Sequence, residues 1–235
     1  MSTMMIEAGM APEDFQQRLM SERKSYHLEH PLEVSLASGK LTHQQLQKWV
    51  ANRFYYQAAI PRKDAAILSN CWDADFRRRW IQRILDQDGV GNSPGGQEAW
   101  LKLASGVGLT REETLDFRHV LPGVRFAVDA YVNFARTAPW QEAVAASLTE
   151  LFAPEAHRRR IDAFGTHYLY VPDDCLTYFR QRLVEARRDV DHGLTITLSH
   201  FTSALAQDRV LEILRFKLDI LWTLAETVYR AHVCP

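Results

Sequence analysis

Residues 208–231 read DRVLEILRFKLDILWTLAETVYRA, and their spacing decides the fold. Leu211, Leu214, Leu218 and Leu221 recur every three or four residues, and Ile213, Ile220 and Leu224 widen the stripe. An apolar stripe at that period is the face of a helix turned toward a core. One residue is out of place in it: Lys217 lies between Phe216 and Leu218, in the most apolar helix of the chain.

The same punctuation recurs outward from this stretch. Pro12 with Glu13 and Asp14 suits a first helical turn, where a missing N–H is harmless and acids meet the helix dipole. Thr42 with Gln45 has the spacing of a capping box, flanked by Leu41 and Leu46 as a hydrophobic staple. It opens LQKWVANRFYYQAAI, with Leu46, Trp49, Val50 and Phe54 on one stripe, and Pro61 is expected to break or kink that helix. Asp73 caps a single helix through DFRRRWIQRILDQDG, and VGNSPGG at 90–96 reads as a flexible loop. Thr110 and Glu113 form a second capping box. Helical runs follow in VRFAVDAYVNFARTA, in QEAVAASLTELF up to Pro154, and in LTYFRQRLVEARRDVDHGLTITLSHF after Pro172. No segment alternates with period two. The expectation is an all-α, compact helical bundle in a single domain over residues 1–235, with residues 1–10 as a flexible tail.

Composition narrows the function. A chain of 235 residues, 46% hydrophobic, can bury one sizeable core. A net charge of −1 argues against a general nucleic-acid or membrane-surface binder. Cys71, Cys175 and Cys234 form neither a CxxC pair nor a zinc pattern, so a reducing compartment is expected. The N-terminal MSTMMIEAGMAPEDF lacks a basic segment followed by an apolar run, and no stretch approaches about 18 apolar residues. A cytoplasmic location is expected.

Several polar residues sit on otherwise apolar helices. Arg53, Tyr56 and Gln57 share a helical face; Lys63 and Asp64 follow Pro61; Arg83 shares the face of Arg79 and Gln87. Each alone has the pattern of a rim residue whose stem packs while its head reaches water. Together with Lys217 they point to a cavity for an anionic ligand, because buried cations need partners. His27 and His157 titrate near neutrality and suit acid–base work. Glu-x-x-His, the motif of helical di-iron proteins, does not occur. Asp116-x-x-His119 and Asp189-x-x-His192 are the nearest approaches and leave a metal-dependent oxidase open.

WVANRFYYQAAIPRKDAAI, RHVLPGVRFAVDAYVNFAR, SLTELFAP and EILRFKLDILW, in that order and spacing, resemble the pyrroloquinoline-quinone synthase family from about Tyr26 to Trp222. The resemblance implies a haem-oxygenase-like, thiaminase-related bundle that forms a homodimer and binds no haem. It implies a bicyclic polycarboxylate substrate, ring closure, and oxidation by dioxygen with release of hydrogen peroxide, without metal or other cofactor. It assigns catalysis to His27, His157, Tyr178, Arg182 and Gln87. It assigns substrate binding to Tyr26, Arg53, Tyr56, Gln57, Lys63, Arg83, Tyr131, Thr149, Glu150, Arg160 and Lys217.

One position departs from the family pattern. A histidine often follows the aspartate of ILD-x-DG and is treated as a proton donor; here Gln87 stands there. Glutamine hydrogen-bonds but does not exchange protons near neutrality. Ligand binding should survive this change and the oxidation should be affected, which keeps a non-catalytic quinone carrier as the other alternative.

Overall fold

The computed structural model describes residues 7–234, and their backbone is helices joined by short turns. Helix α1 (Pro12–Met20) starts on its proline, sets Glu13 and Asp14 in the first turn and buries Phe15 and Leu19. Two 3-10 turns, Ser21–Ser25 and His27–Glu29, lead to α2 (Pro31–Ala37). His30 caps α2, its Nδ1 accepting from the Leu32 amide at 3.1 Å. The Thr42 capping box opens the long α3 (His43–Asn70) with both reciprocal bonds present. Then come α4 (Ala74–Trp80), capped by Asp73, α5 (Gln82–Asp88) and α6 (Gly95–Gly106). After them follow α7 (Arg111–Leu115), with the Thr110–Glu113 box, and α8 (Pro122–Thr137). The last four are α9 (Trp140–Ala145), α10 (Ala153–His167), α11 (Thr177–His200) and α12 (Ala204–His232).

Four local expectations are corrected. Pro61 lies inside α3, which runs through it unbroken. The proline removes one ladder bond, but α3 is packed along its length by α8, α6 and α5, and that burial keeps it continuous through the defect. The single helix expected over 75–89 divides at Ile81. Phe76 and Trp80 of α4 enter an apolar cluster with Ile67 and Val144, and across the break Trp80 Nε1 and Arg83 Nε both donate to Asp64 Oδ1, at 2.9 and 3.3 Å. Gly95 and Gly96, read as loop, are buried at the start of α6. In the segment 141–152, residues Ala146–Leu151 tighten into a 3-10 turn.

The tail expected over residues 1–10 falls in two parts: residues 1–6 lie outside the described residues, and residues 7–10 are pinned to the start of α12. Gly9 N donates to the Thr202 carbonyl at 3.1 Å, and the Gln207 side chain bonds both main-chain groups of Met10.

Apolar packing forms two large clusters. One surrounds Trp49, Trp100, Phe164 and Phe179; the other surrounds Phe15, Phe152, Leu214 and Leu221. Buried aromatics of this size each remove about 150–250 Å² from water, worth roughly 25 cal/mol per Å². Tyr56 packs against both clusters, and beside it the polar side chains converge. Only two isolated bridges, Ala8 with Ser203 and Val90 with Ser93, depart from helical and turn structure among the described residues.

Candidate active site

Helices α3, α10, α11 and α12 and the Ala146–Leu151 turn bring polar side chains to the seam between the two clusters. A cavity of ≈ 40 Å³ lies there. Tyr26, Arg53, Tyr56, Thr149 and Glu150 line one part of its wall, and His157, Arg160, Tyr178 and Arg182 the other. Ile60, Ala153 and Leu221 complete it; sequence reading missed these because apolar residues carry no chemical signal.

The other expected residues stand one contact behind. His27 Nε2 is 3.4 Å from the Arg160 guanidinium, and its ring lies 4.4 Å from that of Tyr26. Gln57 Oε1 accepts from the Tyr178 hydroxyl at 2.5 Å. Lys217 Nζ donates to the Tyr56 hydroxyl at 2.9 Å and lies 4.2 Å from the centre of the Tyr131 ring. Gln87 is buried beside Tyr178, its Oε1 facing Gly96 without a hydrogen-bond partner. A Cβ at Gly96 would come within 2.7 Å of that oxygen, so glycine is what makes room for the side chain.

The cations divide into two kinds. Most are already neutralised. Lys63 Nζ meets Asp64 Oδ1 at 2.5 Å and Ser147 Oγ at 3.1 Å. Arg83 binds Glu150 at 2.9 Å, Asp189 at 3.2 Å and Asp64 at 3.3 Å. Arg160 meets Glu33 at 2.9 Å, and Arg182 meets Glu185 at 2.9 Å and Asp189 at 3.3 Å. Arg53 and Lys217 have no carboxylate partner among the described residues, although Arg53 is buried and Lys217 is 0% exposed. Arg53 rests on the Tyr56 ring, 4.5 Å from its centre, with Nε unpaired.

The expected convergence of Arg53, Lys63, Arg160, Arg182 and Lys217 on one ligand is therefore narrowed. A cation that already holds carboxylates gains less from another. The expected partnership of Arg83 with Gln87 also divides: the guanidinium goes to Asp64, Glu150 and Asp189, and the amide to Tyr178.

Burial and these cations act on the titratable groups. Burial, reinforced by Arg53 and Arg160, holds His27 well below the ordinary imidazole range. Burial and then Arg160 and Arg182 do the same to His157. The Nδ1 atoms of both rings are buried without partners. Burial, then Arg53 and Lys63, push Lys217 well below the usual ammonium value. Burial raises Tyr26 to about 12 and keeps Tyr178 and Tyr56 above the ordinary phenol range. The site combines neutral bases, protonated phenols and a positive field with no anion to balance Arg53 and Lys217.

The residues weighed as metal ligands are engaged otherwise. His119 lies between Glu113 at 2.8 Å and Lys48 at 3.2 Å, Asp116 pairs with Arg118, and Asp189 serves Arg83, Arg182 and Arg188. His192 lies beside the stacked rings of Phe76 and Trp80, 5.6 Å from each. No group of three or more His, Cys, Asp or Glu residues is gathered to hold a metal ion among the described residues. Among them, too, no helix is long and apolar enough to cross a membrane.

Comparison with known proteins follows the same lines. The model of the TENA/THI-4/PQQC family matches residues 16–227. A pyrroloquinoline-quinone synthase of Pseudomonas aeruginosa is 54% identical over 228 residues, covering 97% of this chain and 91% of that one. One of Klebsiella pneumoniae is 52% identical over 229 residues, with the same coverage. Among solved structures, a domain with a heme oxygenase-like fold from Shewanella denitrificans superposes with TM-score 0.75 at 12% identity, over 94% of this chain and 93% of that one. A TenA homolog from Pseudomonas syringae gives TM-score 0.74 at 16% identity, covering 97% of this chain and all of that one. The structural likeness shows the haem-oxygenase-like fold, and the sequence likeness shows the group: this chain belongs to the TENA/THI-4/PQQC family and, within it, to the pyrroloquinoline-quinone synthases.

Proposed function

We propose that this chain is an enzyme of pyrroloquinoline-quinone biosynthesis that closes the last ring of a bicyclic polycarboxylate and oxidises it with dioxygen, releasing hydrogen peroxide, without metal or other cofactor. The observation that carries this reading is the pair of buried cations without carboxylates, Arg53 and Lys217, beside two buried neutral histidines. Such a constellation is incomplete until an anion enters. A substrate carrying several carboxylates completes it, and Arg53 orients one of them with its planar fork.

Each remaining side chain then has a task. His27 and His157 are neutral, so each ring keeps one basic nitrogen that accepts a proton; in His27 it is Nε2, which faces the Arg160 guanidinium, a group that only donates. Incoming carboxylates raise the basicity of both, offsetting the nearby guanidinium groups. Tyr178 stays protonated and donates to Gln57, so it gives its proton to a reduced oxygen species by exchanging that bond for one to the substrate. Arg53 and Lys217, balanced by no carboxylate among the described residues, supply a positive field that favours anionic intermediates, while Arg182, fixed by Glu185 and Asp189, and Arg160, fixed by Glu33, hold N–H donors in place. The quinol anion formed after C–H proton removal reduces dioxygen directly. Gln87 binds without shuttling protons.

The deciding experiment is aerobic incubation of the purified chain with the ring-open precursor, following quinone absorbance and peroxide. Turnover supports the enzyme. Tight binding of the quinone without turnover would make the chain a carrier.

A further inference from the structure

The catalytic cavity holds ≈ 40 Å³, against about 300–1,000 Å³ for typical small-molecule sites. On the far side of one ion-paired wall lies a groove of ≈ 490 Å³ between α4–α5 and α11. The wall is one residue pair thick. Arg83 and Asp189 face the groove, while Glu150 and Arg182 face the cavity. Arg83 binds Glu150, and Asp189 binds both Arg83 and Arg182.

The outer groove carries one unbalanced cation at its rim. Four arginines line the groove: Arg78 pairs with Asp75, Arg83 with Asp64, Glu150 and Asp189, and Arg188 with Asp86 and Asp189, which leaves the charge of Arg79. Arg79 is exposed and has no carboxylate partner among the described residues; its contact is the Asp75 carbonyl at 3.4 Å. His192 Nε2 is buried in the same wall without a partner. Arg79 is thus an unclaimed donor for a carboxylate in a space of ligand size.

We propose that this groove is an outer capture site, where the polycarboxylate is first held before passing the Arg83–Glu150 and Asp189–Arg182 pairs into the catalytic cavity. The inference rests on the proposed substrate class. Carboxylates arriving at the groove compete with Asp189 and Glu150 for Arg83 and Arg182, so the ligand itself loosens the partition it must cross. Unbalanced positive charge also raises the rate of encounter with an anion.

The test is stopped-flow binding of pyrroloquinoline quinone, read by tryptophan fluorescence. Thr195 lies exposed in the groove, so Thr195→Trp obstructs it without touching the core. Obstruction of a passage slows association and dissociation alike, at least about fivefold each, leaving Kd within about twofold. Arg79→Glu lowers the association rate about tenfold and flattens its salt dependence. Arg111→Glu, in a separate groove of ≈ 610 Å³ beside α6 and α7, leaves the rate unchanged. Wild-type association rates in both groove variants overturn the capture site while the quinone-binding reading stands. Failure of the wild-type chain to bind the quinone at all overturns both.

Discussion

Lys217 Nζ and the Tyr56 hydroxyl lie 2.9 Å apart, joining the last helix to α3 across 161 positions of sequence. The lysine is fully buried, and burial together with Arg53 and Lys63 pushes its pKa well below the usual value. A phenol is a weak counterpart for a buried amine, so the pair holds Lys217 in place without satisfying its charge. An entering carboxylate does both, and it favours protonation.

Binding of pyrroloquinoline quinone should therefore take up protons, and affinity should fall as pH rises. Calorimetry in buffers of different ionisation enthalpy measures this uptake directly. Lys217→Met should remove part of it. An uptake of zero in the native chain would show that Lys217, His27 and His157 do not sense the ligand.

Replacing Arg53 or Lys217 by Ala removes a charge-assisted contact of roughly 1.5–3 kcal/mol, or about tenfold to a hundredfold or slightly more in affinity. Equilibrium titration of the double variant is the stringent form. Near-native affinity there would place both cations outside the binding site.

Gln87→His should accelerate a proton-coupled oxidation step, since positioned acid–base groups are worth about 10²- to 10⁴-fold. Gln87→Ala should mainly weaken binding and leave the pH profile unchanged. Gly96→Ala should mimic Gln87→Ala, because its methyl would displace the Gln87 amide while favouring the helix. Single-turnover absorbance traces separate these effects. Identical traces for Gln87→His and the native chain would move Gln87 away from the reacting atoms.

Acid should destabilise the fold through its two buried histidines. The folded pKa values of His27 and His157 lie well below about 6.5, the unfolded value, so below that pH only the unfolded chain takes up these protons. Stability then falls by up to about 1.4 kcal/mol per pH unit for each ring, until the folded value is reached. Urea unfolding at about pH 7 and about pH 5.5 checks this, and His27→Gln with His157→Gln should flatten the slope. An unchanged slope in the double variant would show that both rings are charged in the folded protein.

Turnover of the ring-open precursor should persist after exhaustive chelation. The expectation follows from a substrate that, once ionised, reduces dioxygen itself, and from the engagement of His119 and Asp189 in ion pairs. Loss of activity on removing stoichiometric iron, manganese or copper, with recovery on adding it back, would overturn it.

Much of the helical plan was legible because its causes are local. The Thr42–Gln45 and Thr110–Glu113 boxes and the Asp73 cap lie where residue spacing places them. The break at Ile81 was not legible, because no Gly or Pro marks it, and the Trp80 and Arg83 side chains on either side of it meet at Asp64 Oδ1. Nor was the passage of α3 through Pro61, where packing outweighs a local penalty. Of the polar residues, Arg53 and Lys217 were conspicuous because charges interrupt apolar helical faces there. The carboxylates that neutralise their neighbours were less visible: Glu33 and Glu185 look like ordinary surface acids, and Asp189 looked like a metal ligand.

The sequence by itself determined most of the segments that become helices and which cations interrupt apolar helical faces, since periodicity, caps and a lysine inside an apolar stripe act within a few residues. The tertiary structure alone decided which cations remain available. Glu33 reaches Arg160 across 127 positions and Glu150 reaches Arg83 across 67, while no carboxylate among the described residues reaches Arg53 or Lys217. Ion pairing depends on distance in space, and distance in space between such residues exists only once the helices have packed.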